Sequence, residues 1–224
     1  AGLITESDCG PVRRKVLAKI PANRTVTVPM EELADYISGL PRMLTEQLTI
    51  KVSGEWTGQI LITGFYGSGT LTVQGEGTAV IHGDIQILNC GCMVLLEKLT
   101  VQATAEMAEK GGYLLYCVAA LTVWVTSCTL VGKGKSIGIR AAEGSHVNMI
   151  SDSVTVCVSV VESTACSSTA LVYTTGAGYA RNTYGACAYN GGLVILGPNV
   201  PDLLGGASNR KDGGAIIRQN GTLL

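Results

Sequence analysis

The chain has 224 residues with a net charge of −1 at pH 7, and 46% of its residues are hydrophobic while 15% are charged. This apolar content excludes an intrinsically disordered chain, and the absence of a basic stripe argues against nucleic acid as a partner. The longest apolar run, Tyr113 to Val125, is too short to cross a bilayer, so no membrane span is expected.

Residues 1–28 form a predicted lead-in segment with several basic side chains and a candidate strand at Val26–Val28. The start, Ala1 to Cys9, lacks the basic and apolar regions of a signal peptide, so we expect synthesis in the cytoplasm without export. Residues 29–47 are predicted to be a helical cap, because Pro29 suits the first turn of a helix. One face of this helix is apolar and would cover the open end of a repeat structure; it comprises Leu33, Tyr36, Ile37 and Leu40.

Residues 48–196 form a succession of short strands. Apolar residues alternate with polar ones at Leu48, Ile50 and Val52, and again from Val154 to Val160. A period of two indicates strands with one buried face, and many short strands separated by turns are typical of a sandwich, a barrel or a solenoid.

The pair Leu-Thr recurs at the start of predicted strands and favours the solenoid. The leucines of these pairs are separated by 23, 28 and 22 residues; they are Leu48, Leu71, Leu99 and Leu121. Recurrence at this interval indicates coils that bury their inner faces by stacking, although four such pairs could also coincide by chance.

The turns in this region also favour coils over hairpins. Asn-Gly turns, the usual hairpin signal, occur only late in the chain. Instead, Asn89-Cys90 and Ser127-Cys128 each end one apolar strand and directly precede another. Asn tolerates the left-handed conformation of a sharp bend, and a small thiol fills the tight interior beside it.

The eight cysteines are spread through the predicted strands. A disulfide framework and a metal site are the alternatives. Cys90 and Cys92 form a single Cys-X-Cys pair without a second pair, so we expect reduced, buried thiols and no metal or cofactor.

Three segments together resemble the right-handed parallel β-helix of tail and baseplate proteins in phages and prophages of Gram-positive bacteria, a fold shared with pectate lyases. The segments are 52–54, 67–73 and 85–90, and the resemblance extends from about Thr25 to Leu196. It implies an all-β, right-handed parallel β-helix, with roughly six coils of about 24 residues between Leu48 and Leu196. Residues 197–224 are predicted to be a loop-rich tail with one final strand, Ala215–Ile217.

The resemblance implies a tail spike or fibre-like structural protein of the virion. Such a protein is expected to form a homotrimer, to contact other tail proteins and to attach to a cell-surface glycan without catalysis. Two alternatives remain open on the same fold: a carbohydrate-active enzyme, either a polysaccharide lyase or a glycoside hydrolase, and a cell-surface adhesin.

Candidate site residues are few. Tyr179, Tyr184 and Tyr189 recur every five residues, and they either contact a ligand or a subunit or brace a glycine-rich turn. An enzyme would need two converging carboxylates, and Asp84 and Glu106 are about one coil apart, as chance also allows. No catalytic residue is therefore assigned. Residues 103–110 interrupt the strand pattern as a helical turn or a protruding loop.

Overall fold

The computed structural model describes residues 24–150, 152–164, 168–173 and 179–224. Most of the predicted lead-in segment, together with Cys9 and Cys166, lies outside the described residues. The described strands are β1 Arg24–Pro29, β2 Leu48–Thr63, β3 Thr70–Leu88, β4 Met93–Glu97, β5 Thr100–Gln102, β6 Gly112–Val118, β7 Thr122–Thr126, β8 Thr129–Val131, β9 Ser136–Ala142, β10 His146–Ile150, β11 Ser153–Thr155, β12 Ser159–Thr164, β13 Thr169–Tyr173, β14 Tyr179–Ala180, β15 Tyr184–Tyr189, β16 Leu193–Leu196, β17 Ser208–Asp212 and β18 Ala215–Arg218. The described α-helices are α1 Leu33–Gly39 and α2 Ala105–Lys110.

Each strand pairs in parallel with the strand one coil away, which confirms the predicted all-β solenoid. The pairings divide the strands into three faces. Sheet I contains β1, β4, β7, β10, β13, β16 and β18; sheet II contains β5, β8, β11 and β14; sheet III contains β6, β9, β12, β15 and β17. The long strands β2 and β3 bend at the corners, and each contributes to all three sheets.

The solenoid has about eight turns. Parallel pairing continues outside residues 48–196, because β1 pairs with β2 and both β17 and β18 pair with the coil before them. The Leu-Thr recurrence marks equivalent positions only in part. Leu48 pairs with Leu71 in sheet I, whereas Thr100 belongs to sheet II and Leu121 is 59% exposed.

The core is a set of columns of inward side chains that run along the solenoid. One column in sheet I is apolar over eight coils and fully or almost fully buried; it comprises Leu48, Leu71, Val94, Val123, Val147, Ala170, Val194 and Ile216. Burying a side chain the size of valine or leucine contributes about 1.5–3 kcal/mol. Each coil therefore depends on its neighbours for its core.

The predicted sharp bends at Asn89 and Ser127 are confirmed. Both residues have left-handed backbones, with φ of 52° and 54°. The buried thiols that follow them donate to nearby carbonyl groups, from Cys90 to Leu88 at 3.5 Å and from Cys128 to Thr126 at 3.6 Å. The six described cysteines are free and buried.

The two helices lie at the N-terminal end and on the flank. Helix α1 follows a 3-10 turn at Met30–Glu32 and buries Leu33 and Ile37 completely, while its role as a cap stays a prediction. Helix α2 occupies the segment where the strand pattern is interrupted, and Thr104 caps it by accepting from the Met107 backbone N–H. Neither described helix is long and apolar enough to cross a membrane.

Candidate functional site

The three tyrosines do not form one described cluster. Tyr179 belongs to sheet II and packs against the core, and its buried hydroxyl has no hydrogen-bond partner among the described residues. Tyr184 and Tyr189 stand at the two ends of β15, about 16 Å apart along the strand. The Arg210 guanidinium lies 5.6 Å from the centre of the Tyr189 ring. A role for these tyrosines in ligand or subunit contact stays a prediction.

A groove on the outer surface brings together residues from three coils. It lies where sheet II meets sheet III, and helix α2 forms one wall. Its volume is about 710 Å³, within the usual range for ligand sites. We call it the α2 groove, and its polar lining includes Gln59, Asp84, Gln86, Glu106, Lys110 and Tyr113.

The floor of the α2 groove includes bare backbone. Gly58 and Gly83 are register partners in adjacent coils. A Cβ on Gly83 would lie 1.9 Å from the Gly58 carbonyl oxygen, and Gly83 has a φ of +154°. Glycine is therefore required where these two coils cross the groove.

Asp84 is the centre of a hydrogen-bonded cluster in the groove. Its Oδ2 accepts from Gln59 Nε2 at 3.0 Å and from Gln86 Nε2 at 2.9 Å. Gln59 reaches Asp84 because the two residues pair in register across adjacent coils, whereas Gln86 reaches it from two residues along β3. Gln59 lies 25 residues and Gln86 two residues from Asp84 in the sequence. The separation of 25 residues was the missed signal, because a register partner is expected about one coil away.

The wall opposite the Asp84 cluster, which includes helix α2, carries charged and aromatic side chains. Glu106 and Lys110 form a 3.0 Å ion pair on helix α2, and both are 72% exposed. The Tyr113 ring stacks on Tyr116 with centroids 4.9 Å apart, and the Arg140 guanidinium lies 5.0 Å from the Tyr113 centroid. Arg140 also donates to the Tyr113 hydroxyl. The tyrosine is thus held in place by contacts on sheet III.

Asp84 and Glu106 both line the α2 groove, although catalytic chemistry needs more than proximity. A general acid in a glycosidase is a carboxyl group placed in an apolar site that keeps it protonated. Asp84 accepts two amide hydrogen bonds, and Glu106 is exposed and paired with Lys110. Neither has the environment of a general acid.

The two histidines lie outside the α2 groove, as do Glu76 and Glu97, which are also about one coil apart in the sequence. His82 pairs with Glu55 at 3.2 Å on the surface, and His146 is exposed at the start of β10. Glu76 pairs with Lys51 at 2.5 Å, and Glu97 accepts from Gln74. Among the residues that the structure describes, no group of three or more His, Cys, Asp or Glu side chains is arranged to hold a metal ion.

The outer side of sheet I carries a second unusual surface. From β4 onwards, one column of outward side chains is in register from coil to coil and largely apolar, with Asn148 as its only polar member. On the first three coils the same column carries Thr25, Thr49 and Thr72. We call it the apolar stripe, and its members are Leu95, Trp124, Leu171, Ile195 and Ile217. At about 4.8 Å per coil, the stripe is about 24 Å long. Met93, 39% exposed, and Leu193 widen it on one side.

One buried carboxyl group stands out in the interior. Asp152 is completely buried, and it accepts from the Cys128 and Ile150 backbone N–H groups at 2.8 and 2.9 Å. Burial raises the pKa of Asp152 to about 7, and the two backbone hydrogen bonds oppose that shift. Sequence reasoning missed this residue because a lone Asp beside a predicted strand looks like an ordinary turn residue.

These elements define the chain as an all-parallel β-solenoid with a polar groove on one flank and an apolar stripe on another. No protein-family model matches the chain, and no curated protein or solved structure matches it. The groove and the stripe are therefore the two features of the chain from which a function can be proposed.

Proposed function

We propose that the protein is a structural subunit of a phage or prophage tail, of the spike or fibre kind, which forms a homotrimer and attaches to a cell-surface glycan. The observation that carries this proposal is the apolar stripe. An elongated solenoid with an apolar face along its length is suited to side-by-side association, because each copy buries the stripe of another.

The chemistry of the stripe favours a second copy of this chain as the partner. The charged pair Lys51–Glu76 and the carboxylate of Glu97 lie on the N-terminal coils of sheet I. The columns beside Trp124 and Leu171 carry no Lys, Arg, Asp or Glu among the described residues of the later coils. An uncharged apolar surface needs no oppositely charged partner, so the stripes of three copies can pack against one another around a common axis.

Light scattering of the full chain coupled to size exclusion tests the assembly. The chain mass is 23.2 kDa, and a trimer is expected at about three times that value. Trp124→Thr should weaken the trimer, so that it dissociates at a concentration at least tenfold higher than wild type does. Leu61→Ser is the matched control, because Leu61 is 40% exposed on the outer side of sheet III. A wild-type chain that remains a monomer at all concentrations contradicts the proposal.

A carbohydrate-active enzyme is the second candidate, because Asp84 and Glu106 line the same groove. A reducing-sugar assay on polysaccharides distinguishes the two functions. Steady release of reducing ends that Glu106→Gln abolishes supports the enzyme, whereas binding without release supports attachment.

A further inference from the structure

We infer that the α2 groove is a binding site for a neutral oligosaccharide, with Asp84, Gln59 and Gln86 as the residues that select its hydroxyl groups. The inference depends on the attachment half of the proposed function, to which it assigns a site, and not on the trimer. Three properties of the groove support it.

The first property is the pattern of donors and acceptors. Both glutamine amides donate to the same Asp84 oxygen, Oδ2, at 3.0 and 2.9 Å. The hydrogen bonds among the described residues leave Asp84 Oδ1, both glutamine Oε1 atoms and one N–H of each amide for a ligand. Donors and acceptors thus alternate across the cluster. A sugar hydroxyl both donates and accepts, so neighbouring hydroxyls match this alternation.

The second property is preorganisation. Asp84 holds Gln59 and Gln86 in fixed orientations, and the Tyr113 ring is fixed by Tyr116 and Arg140. Side chains that are ordered before binding lose less entropy when a ligand arrives.

The third property is charge. The ionic side chains of the groove are Asp84, Glu106 and Lys110, which together carry one negative charge. Glu106 and Lys110 compensate each other in their ion pair. The remaining negative charge of Asp84 repels a phosphate or a polyuronate, whereas a neutral sugar accepts a carboxylate as an ordinary hydrogen-bond partner. Met107 and Ala105 add an apolar contact for the C–H side of a sugar ring.

Isothermal titration of the full chain tests the inference with maltohexaose, cellohexaose and chitohexaose as neutral probes and trigalacturonate as the acidic probe. At least one neutral probe should bind saturably and more tightly than trigalacturonate. Gln59→Ala and Asp84→Ala should each raise its dissociation constant at least tenfold.

Gln74→Ala is the matched control, because Gln74 Nε2 donates to the Glu97 carboxylate at 2.7 Å in the same way but on sheet I. Its affinity should stay within twofold of wild type. The inference is overturned if no neutral probe saturates, if trigalacturonate binds more tightly, or if the Gln59 and Asp84 variants bind like wild type. Light scattering of the same samples separates the two proposals, since loss of sugar binding leaves the trimer intact and loss of the trimer leaves sugar binding intact.

Discussion

Replacing Asp152 with Asn should stabilise the protein above neutral pH. The Asp152 carboxyl group is buried, and burial raises its pKa to about 7 from an unfolded value of about 4. The ionisable groups that face it are the Cys128 thiol and the Tyr179 hydroxyl. Burial raises the pKa of both groups, so both stay neutral between pH 4 and pH 8.

The sign of the pH effect follows from proton binding. Between about pH 4 and pH 7 the folded chain holds the Asp152 proton and the unfolded chain has lost it, so stability falls as pH rises through this range. A pKa shift of about three units corresponds to a loss of at most about 4 kcal/mol in the free energy of unfolding. This loss is complete above pH 7. Asn keeps one of the two backbone hydrogen bonds and leaves the other buried N–H without an acceptor, at a cost of about 1–3 kcal/mol. The variant should therefore be about 1–3 kcal/mol more stable than wild type near pH 8.

Asn already accepts from the backbone in this way at another corner of the next coil, between sheets II and III. Asn182 Oδ1 accepts from the Cys157 backbone N–H at 2.9 Å, as Asp152 Oδ1 accepts from Cys128. The assay is urea unfolding of both proteins at several pH values from about 4.5 to 8. The other carboxylates and histidines titrate equally in both proteins, so their effects cancel in the difference. A difference that stays constant with pH, or wild type gaining on the variant as pH rises, would refute the reasoning.

Three further predictions concern the backbone and the thiols. Val156 has a φ of 60°, so Val156→Asn should stabilise the protein by about 1 kcal/mol in urea unfolding. The reciprocal Asn89→Val should destabilise it by a similar amount, because Asn89 has a φ of 52°. Two variants that both stabilise or both destabilise the protein would contradict this prediction. Gly83→Ala should cost more than about 2 kcal/mol because its Cβ would meet backbone at 1.9 Å, whereas Gly77→Ala, with φ +61° and open space, should cost about 1 kcal/mol. Burial raises the pKa of the Cys128 thiol to about 12, so iodoacetamide at pH 8 should modify this thiol only after unfolding, as located by mass spectrometry of peptides. Rapid modification of Cys128 in the folded chain would disprove its burial.

Local sequence patterns predicted several strands and the corners at Asn89 and Ser127, whereas the alternating run from Val154 to Val160 is divided between β11 and β12 by a corner at Val156. Alternation at Leu48, Ile50 and Val52 matches the buried positions of β2, because a strand turns successive side chains to opposite faces. Asn89 and Ser127 adopt the left-handed bends expected of them. Val156 adopts the same bend without any sequence signal, since its conformation is imposed by the coils around it.

The α2 groove and the apolar stripe could not be predicted from local patterns. Gln59 and Asp84 are 25 residues apart, and they meet because β2 and β3 pair in one particular register. Trp124 and Leu171 occupy outward positions of separate strands that align only when three coils stack.

The amino-acid sequence by itself determined many of the inward residues, the bends at Asn89 and Ser127, and that the six described cysteines are buried thiols, because these properties depend on neighbours within a few residues. The tertiary structure decided which outward side chains become neighbours across coils. That depends on the length of each coil, including the insertion of helix α2, and a change of one residue in the pairing register would place different side chains together.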